Sequence, residues 1–189
     1  MDWFSTIIGA AIGFISSIGI ILVQRGFDRA GKLEIYTKMV YDRISGSHSW
    51  GFQNTPDGIF LNVPVWIEIQ NLTNSPRILR DINLVLVSSG KELATMRQTN
   101  RANIEGEGVH LFANEGSYSL SIDGGQIKQI DCHFLLKDNS NRPAFDEILL
   151  RYFDEKNRPH RFSLGHVEGD WCIKEFPCDG NWIKLKEKK

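Results

Sequence analysis

The 189-residue sequence has few cysteines and no excess of charge of either sign. Its three cysteines, Cys132, Cys172 and Cys178, are an odd number without a CxxC pair, which excludes the dense disulfide framework of small secreted domains. Reduced thiols in a cytosolic compartment are the simpler interpretation, and a bridge between Cys172 and Cys178 stays open. The formal net charge of −1 excludes a global basic field, so we expect no nucleic acid polymer as a partner.

Signature motifs of common enzymes are also absent. The sequence contains no GxSxG, no GxGxxG, no HExxH and no phosphate-binding GxxxxGK loop. Ser47 and Ser49 flank His48, but neighbours in sequence rarely form a catalytic dyad. A zinc site is conceivable near the C-terminus, but its ligands would match no standard spacing: His160, His166, Cys172 and Cys178. We therefore predict a protein that is not an enzyme and that has no cofactor.

Charge is missing altogether from one long stretch near the N-terminus. Trp3 to Val23 reads WFSTIIGAAIGFISSIGIILV and contains no charged residue. As a helix this run is about 30 Å long, which is the thickness of the hydrocarbon core. A cleaved signal peptide would need a cationic start, and Asp2 is the only charge before the run. The pattern predicts one transmembrane helix over residues 1–23.

Basic residues follow this run and none precedes it. They are retained on the cytoplasmic side of a membrane, so the protein is predicted in the cell inner membrane, with its N-terminus outside and its domain in the cytoplasm. The five within twenty residues of the run are Arg25, Arg29, Lys32, Lys38 and Arg43.

Small residues recur every four positions within the same run: Ser5, Gly9, Gly13 and Ser17. This small-residue ridge includes a GxxxG match, and small side chains let two helices approach closely. The ridge predicts a homo-oligomer formed through the helix.

Beyond a juxtamembrane linker (24–32), hydrophobicity alternates with the period of two that is typical of strands. The clearest strand is predicted over 61–70, where Pro64 indicates an edge position or a bulge because proline lacks a backbone donor. Residues 33–166 are predicted as one β domain, and 167–189 as a C-terminal extension. Further strands are predicted over 33–41, 78–87, 91–96, 118–122, 126–137, 147–153 and 160–164.

This many short strands without a strong amphipathic helix favours an antiparallel sandwich or a small barrel. The succession VWIEIQNLTNSP, ILRDINLVLV and SLSIDGGQIKQIDCHFLL resembles the immunoglobulin-like domains of bacterial single-pass membrane-anchored proteins. The resemblance covers roughly residues 33–165 and lacks the Cys…Trp…Cys spacing of antibody domains. It implies a mainly β fold, in which an N-terminal transmembrane helix precedes an antiparallel immunoglobulin-like β-sandwich. It implies no function.

Two polar segments are candidate binding surfaces. Trp50 and Phe52 lie in a segment rich in Gly, Ser, Asn and Pro (45–58), where they either anchor a partner or cap the core. Arg97, Arg101 and His110 lie in or beside a long polar segment (98–116), where they either bind phosphate or carboxylate groups or are solvated.

These features favour a non-enzymatic, membrane-anchored interaction module that presents a cytosolic β-sandwich to a protein partner. The expected partners are the lipid bilayer, further copies of the chain and an unidentified cytosolic protein. The alternative is a ligand-gated membrane effector of the antiviral defence type, whose domain binds a small anion or nucleotide.

Overall fold

The computed structural model describes residues 3–29, 31–40, 49–99, 118–138 and 144–188. Within these ranges one helix, α1 (Trp3–Arg29), is followed by thirteen strands. The strands are β1 (Leu33–Met39), β2 (Ser49–Thr55), β3 (Gly58–Asn71), β4 (Arg77–Ser88), β5 (Lys91–Thr95), β6 (Arg97–Gln98), β7 (Tyr118–Ile122), β8 (Ile127–Lys137), β9 (Phe145–Phe153), β10 (Pro159–Gly169), β11 (Glu175–Pro177), β12 (Ile183–Lys184) and β13 (Glu187–Lys188).

The strands form two antiparallel sheets. In the first sheet the order is β11-β2-β3-β1-β12. In addition, β8 pairs with β3, and β6 pairs with β8. In the second sheet the order is β13-β10-β9-β4-β5, and β7 also pairs with β4. The mainly β part of the predicted fold, with its antiparallel sheets, is therefore confirmed.

One hydrophobic core lies between the two sheets. β3 supplies five fully buried side chains from alternate positions: Leu61, Val63, Val65, Ile67 and Ile69. β4 supplies Leu84 and Leu86 from the other sheet in the same way. Burying one such side chain stabilises the fold by roughly 1.5–3 kcal/mol, so the alternation seen in the sequence is what holds the sheets together.

Pro64 lies in a central strand, and its predicted edge position or bulge is wrong. β8 pairs with β3 on one side from Phe60 to Gln70 without a register shift. On the other side β2 pairs with the first part of β3, and β1 pairs with the part that begins at Val65. The carbonyl of Pro64 accepts a hydrogen bond from Val40 on this side. The Pro64 nitrogen, which has no hydrogen to donate, therefore faces the junction between β2 and β1. Neither of the two strand pairings needs a donor at this position.

The last residues of the chain join the two sheets. We call residues 183–188 the C-terminal strap, because β12 pairs with β1 in the first sheet and β13 pairs with β10 in the second. Between them Leu185 is 7% exposed and donates its N–H to the carbonyl of Ile35 at 2.8 Å. Trp171 also belongs to the core. The structure thus places the predicted C-terminal extension within the sandwich.

β2 lies in the polar segment over 45–58, where the sequence predicts no strand. Its apolar side chains are only Trp50 and Phe52, too few to show a strand period. Pairing with the first part of β3 supplies the regular structure instead, and the hairpin turns between Thr55 and Gly58.

The predicted transmembrane helix over 1–23 is wrong. Within the described residues, α1 includes no apolar stretch of the length that crossing a bilayer requires. The run over 3–23 is uncharged, but it includes the hydroxyl residues Ser5, Thr6, Ser16 and Ser17, and the absence of charge alone does not make a helix apolar enough to cross a bilayer. The prediction relied on the absence of charge over 3–23. The predicted single-pass topology is therefore wrong as well, while the predicted inner-membrane location is not tested by this finding.

Candidate functional site

A cleft of about 530 Å³ opens between the two sheets at one end of the sandwich. The first sheet contributes the start of β1 and the second contributes the ends of β4, β9 and β10 that meet there. Four consecutive residues of the C-terminal strap, 184–187, form part of the wall, so we call it the strap cleft. Its volume is in the range of sites for small organic molecules.

Three rings from β9 and β10 form one side of the strap cleft. Tyr152 and His160 are directly paired across the two strands, and their rings stack with centroids 4.9 Å apart and planes 11° apart. Phe162 lies 6.0 Å from Tyr152 at 17°. Tyr152 and Phe162 are buried, whereas the side chain of His160 is 27% exposed. The rings are therefore nearly parallel, and solvent reaches the imidazole.

Asp154 holds the turn that joins β9 to β10. Its carboxylate accepts hydrogen bonds from the backbone N–H groups of Lys156 and Arg158 at 2.9 and 2.8 Å, and from the Arg158 guanidinium. Burial raises the pKa of Asp154, but the hydrogen bonds from Arg158, His160 and Lys156 outweigh burial and hold the pKa well below its ordinary value. Asp154 is therefore an ionised turn residue whose oxygens are already engaged.

The strap is attached to both sheets by charged groups at the cleft. Lys184 lies 2.5 Å from the carboxylate of Glu34 on β1, and His160 on β10 lies 2.6 Å from the carboxylate of Glu187. The hydrogen bond from Lys184, followed by one from Tyr36, lowers the pKa of Glu34 to about 2. Both carboxylates thus already have partners within the wall.

Cations at the rim of the cleft are less fully engaged. Arg77 lies 3.5 Å from Glu155, and Lys32 lies 3.3 Å from Glu34 with 71% of its side chain exposed. Lys186 is exposed, and no carboxylate within the described ranges pairs with it. The rim therefore offers hydrogen-bond donors that the cleft's own carboxylates do not fully use.

The structure separates the two aromatic residues that the sequence placed together. Phe52 is 0% exposed and meets Trp171 edge to face at 5.6 Å, so it is a core residue. Trp50 is half-buried and stacks on Phe176 of β11, with centroids 4.6 Å apart. Of the pair, Trp50 alone has surface that a partner can reach.

The remaining sequence candidates do not meet at one place. Arg97 is exposed in β6 opposite Leu135 and does not line the strap cleft, while Arg101 and His110 lie outside the described residues. In the small-residue ridge, Gly13 and Ser17 are exposed on α1. Ser5 and Gly9 also lie in α1, but the structure describes only the backbone at these two positions.

The strap cleft was not predicted. Its residues come from the starts of β1, β4 and β10, the end of β9 and the strap. The only sequence signal was the alternation Ile183-Lys-Leu-Lys186, which has the period of an edge strand with one buried position at Leu185. That alternation predicts a strand, but not which strands lie beside it.

Thiols and metal ligands are not concentrated at any site. Cys132 is buried in the core, and within the described residues no disulfide joins Cys172 to Cys178, so the bridge that the sequence left open is not formed. Within the described residues, no three His, Cys, Asp or Glu side chains have an arrangement that could hold a metal ion.

Comparison with protein-family models, with curated proteins and with solved structures gave no match. The immunoglobulin-like resemblance therefore gains no support beyond the two antiparallel sheets.

Proposed function

We propose that this chain is a non-enzymatic interaction protein whose copies assemble through α1 and whose β-sandwich binds a partner protein. The observation that carries the proposal is the exposure of α1. Every described side chain over 11–24 is exposed, including Phe14 and Ile15 at 68%. A helix that is apolar on all faces is stable when other apolar surface surrounds it. Further copies of α1 supply such surface.

The Gly13–Ser17 face gives two helices a place to pack closely. A Cβ atom at Gly13 would meet nothing within 4 Å. The Ser17 hydroxyl donates to the Gly13 carbonyl at 2.8 Å, so its polarity is satisfied within its own helix. The face is therefore flat and needs no polar partner, which supports close helix contact.

Assembly is tested by placing the same bulky side chain on and off this face. Gly13→Ile should weaken self-association because the branched side chain keeps the helix backbones apart. Gly19→Ile is the matched control, since Gly19 also has nothing within 4 Å and lies about 120° from Gly13 around the helix. Analytical ultracentrifugation and short-span crosslinking measure the oligomer. A monomeric unaltered chain, or equal loss in both variants, would contradict the proposal.

A second observation favours a partner-binding surface at the outer edge of the first sheet. Trp50 on β2 stacks on Phe176 of β11, and Lys174 lies over the Phe176 ring at 5.4 Å. Ile173, just before β11, is 63% exposed. Half-buried aromatics beside exposed apolar and cationic groups are typical of interface anchors.

Site-specific photocrosslinking tests this surface. A photoreactive residue in place of Ile173 should trap a reproducible partner, whereas one in place of Ile127, 62% exposed at the start of β8, should not. Trp50→Ala should reduce the Ile173 crosslink. Identical crosslinks from both positions would argue against an anchor at Trp50.

A further inference from the structure

We propose that the strap cleft binds a small organic anion with a planar apolar body. This site is separate from α1 and from the Trp50 surface. The test of this proposal therefore does not depend on assembly or on partner binding. The inference rests on the rings, on the cations at the rim and on the engaged carboxylates.

The apolar body is expected to lie against the rings and the aliphatic wall. Tyr152, Phe162 and His160 have nearly parallel planes, and His160 is the ring that solvent reaches. Ile78 lines the same cleft and is 44% exposed, although it is a large apolar side chain. A planar group can stack beside His160 and cover Ile78, and it thereby removes apolar surface from water.

The anionic group is expected to meet the rim cations. Arg77 has one contact at 3.5 Å, and Lys186 has no carboxylate partner within the described ranges. Charge-assisted hydrogen bonds from these groups are stronger than bonds between neutral groups. Burial, with the nearby charges of Glu187 and Asp154, raises the pKa of Tyr152 well above its ordinary value of 10.0. Tyr152 therefore stays neutral and adds no negative charge to the cleft.

The carboxylates in the cleft do not favour a cation in its place. Three of the four carboxylates that line the cleft are engaged: Asp154 by Arg158 and two backbone N–H groups, Glu34 by Lys184, and Glu187 by His160. The fourth, Glu155, lies 3.5 Å from Arg77. A cationic ligand would have to displace one of these internal partners, and the strap or the β9–β10 turn would lose a contact. An anion uses donors that are still available.

Calorimetric titration of the full chain with 1-naphthyl phosphate tests the proposal, since this probe combines a planar apolar body with an anionic group. 1-Naphthol, which has the planar apolar body alone, and inorganic phosphate, which has the anionic group alone, serve as control ligands. We expect each control ligand to bind at least about tenfold more weakly than the whole probe. No binding of the probe, or equal affinity for inorganic phosphate alone, would overturn the proposed ligand class.

Two rim variants and one control locate the site. Arg77→Gln and Lys186→Gln should each weaken 1-naphthyl phosphate binding by about tenfold, because each removes a charge-assisted hydrogen bond. Lys91→Gln removes an exposed charge at the β4–β5 turn, at the other end of the second sheet, and should change nothing. Equal losses in all three variants would show nonspecific charge attraction and overturn the site. Gly13→Ile should bind the probe normally, which separates this result from the assembly test.

Discussion

Asn71 shows how one buried amide supports the end of the sandwich where the strap cleft opens. It is 0% exposed, and its amide nitrogen donates to the carbonyls of Ser75, Ile122 and Asp123 at 2.9–3.1 Å. Its amide oxygen accepts from the N–H and the hydroxyl of Thr73. The side chain thereby ties the turn after β3 to the turn after β7.

Asn71→Asp should destabilise the fold by about 2–4 kcal/mol, because a carboxylate of nearly the same shape cannot donate to three carbonyls and is costly to bury. Asn74→Asp is the control, since Asn74 is exposed in the same turn. Urea denaturation measures both variants. Similar stabilities for the two would mean that the hydrogen bonds of Asn71 contribute little.

Phe52→Ala should lower the free energy of unfolding by about 3–5 kcal/mol, because truncation of a fully buried aromatic side chain leaves a cavity. Its ring contacts Trp171 and Phe145 within the core. Trp50→Ala should cost less, since Trp50 is half-buried at the sheet edge. Chemical denaturation compares the variants, and a larger loss for Trp50→Ala would contradict the assignment of Phe52 to the core.

Trp50 and Phe52 also mark what the sequence could not decide at the level of single residues. Two aromatic residues in a polar segment are compatible either with an exposed anchor for a partner or with a cap on the core, and the sequence does not decide between these two interpretations. The pairing of β2 with β3 and β11 decides between them, and neither partner strand is visible from the segment itself.

At the level of elements, alternation of apolar residues predicts the strands that contain an alternating apolar series, and it misses β2, which has only two apolar side chains. The predicted strands over 61–70 and 118–122 correspond to β3 and β7, and those over 147–153 and 160–164 correspond to the paired strands β9 and β10. The strands β11, β12 and β13 span only two or three residues, which is too short for any period to show. They exist because distant strands supply their hydrogen-bond partners.

The attachment of the strap should depend on pH through Glu34. Its pKa is lowered from 4.5 to about 2 in the folded chain. Because the folded-state pKa is the lower one, the contact with Lys184 stabilises the fold fully above about pH 4.5, and this stabilisation is lost as the pH falls toward 2.

Glu34→Gln should therefore lower the urea midpoint at pH 7, and its difference from the unaltered chain should shrink as the pH approaches 2. Lys184→Gln should give a similar loss at neutral pH, since it removes the main partner of Glu34. A difference of constant size across this pH range would show that the Glu34 carboxylate is not what holds the strap.

At the level of the whole molecule, the sandwich and α1 are held by different interactions. The sheets share one core and are joined by the strap. Within the described residues, no strand makes extensive contacts with α1. Composition and alternation predicted the sheets because a core needs apolar residues at alternate positions. They did not predict the strap cleft, because a site built from five separate segments depends on how the sheets pair.

Removal of residues 1–30 should abolish self-association and leave the thermal unfolding midpoint of the sandwich nearly unchanged, because few contacts between α1 and the strands are lost. Removal of residues 183–189 should do the opposite. It takes away Leu185, which is 7% exposed, and the pairing of β12 and β13. The lost leucine alone is expected to cost about 2–5 kcal/mol. Circular dichroism measures unfolding and ultracentrifugation measures assembly. If the helix deletion lowered the midpoint as much as the strap deletion, α1 would be part of the folded domain and not a separate assembly element.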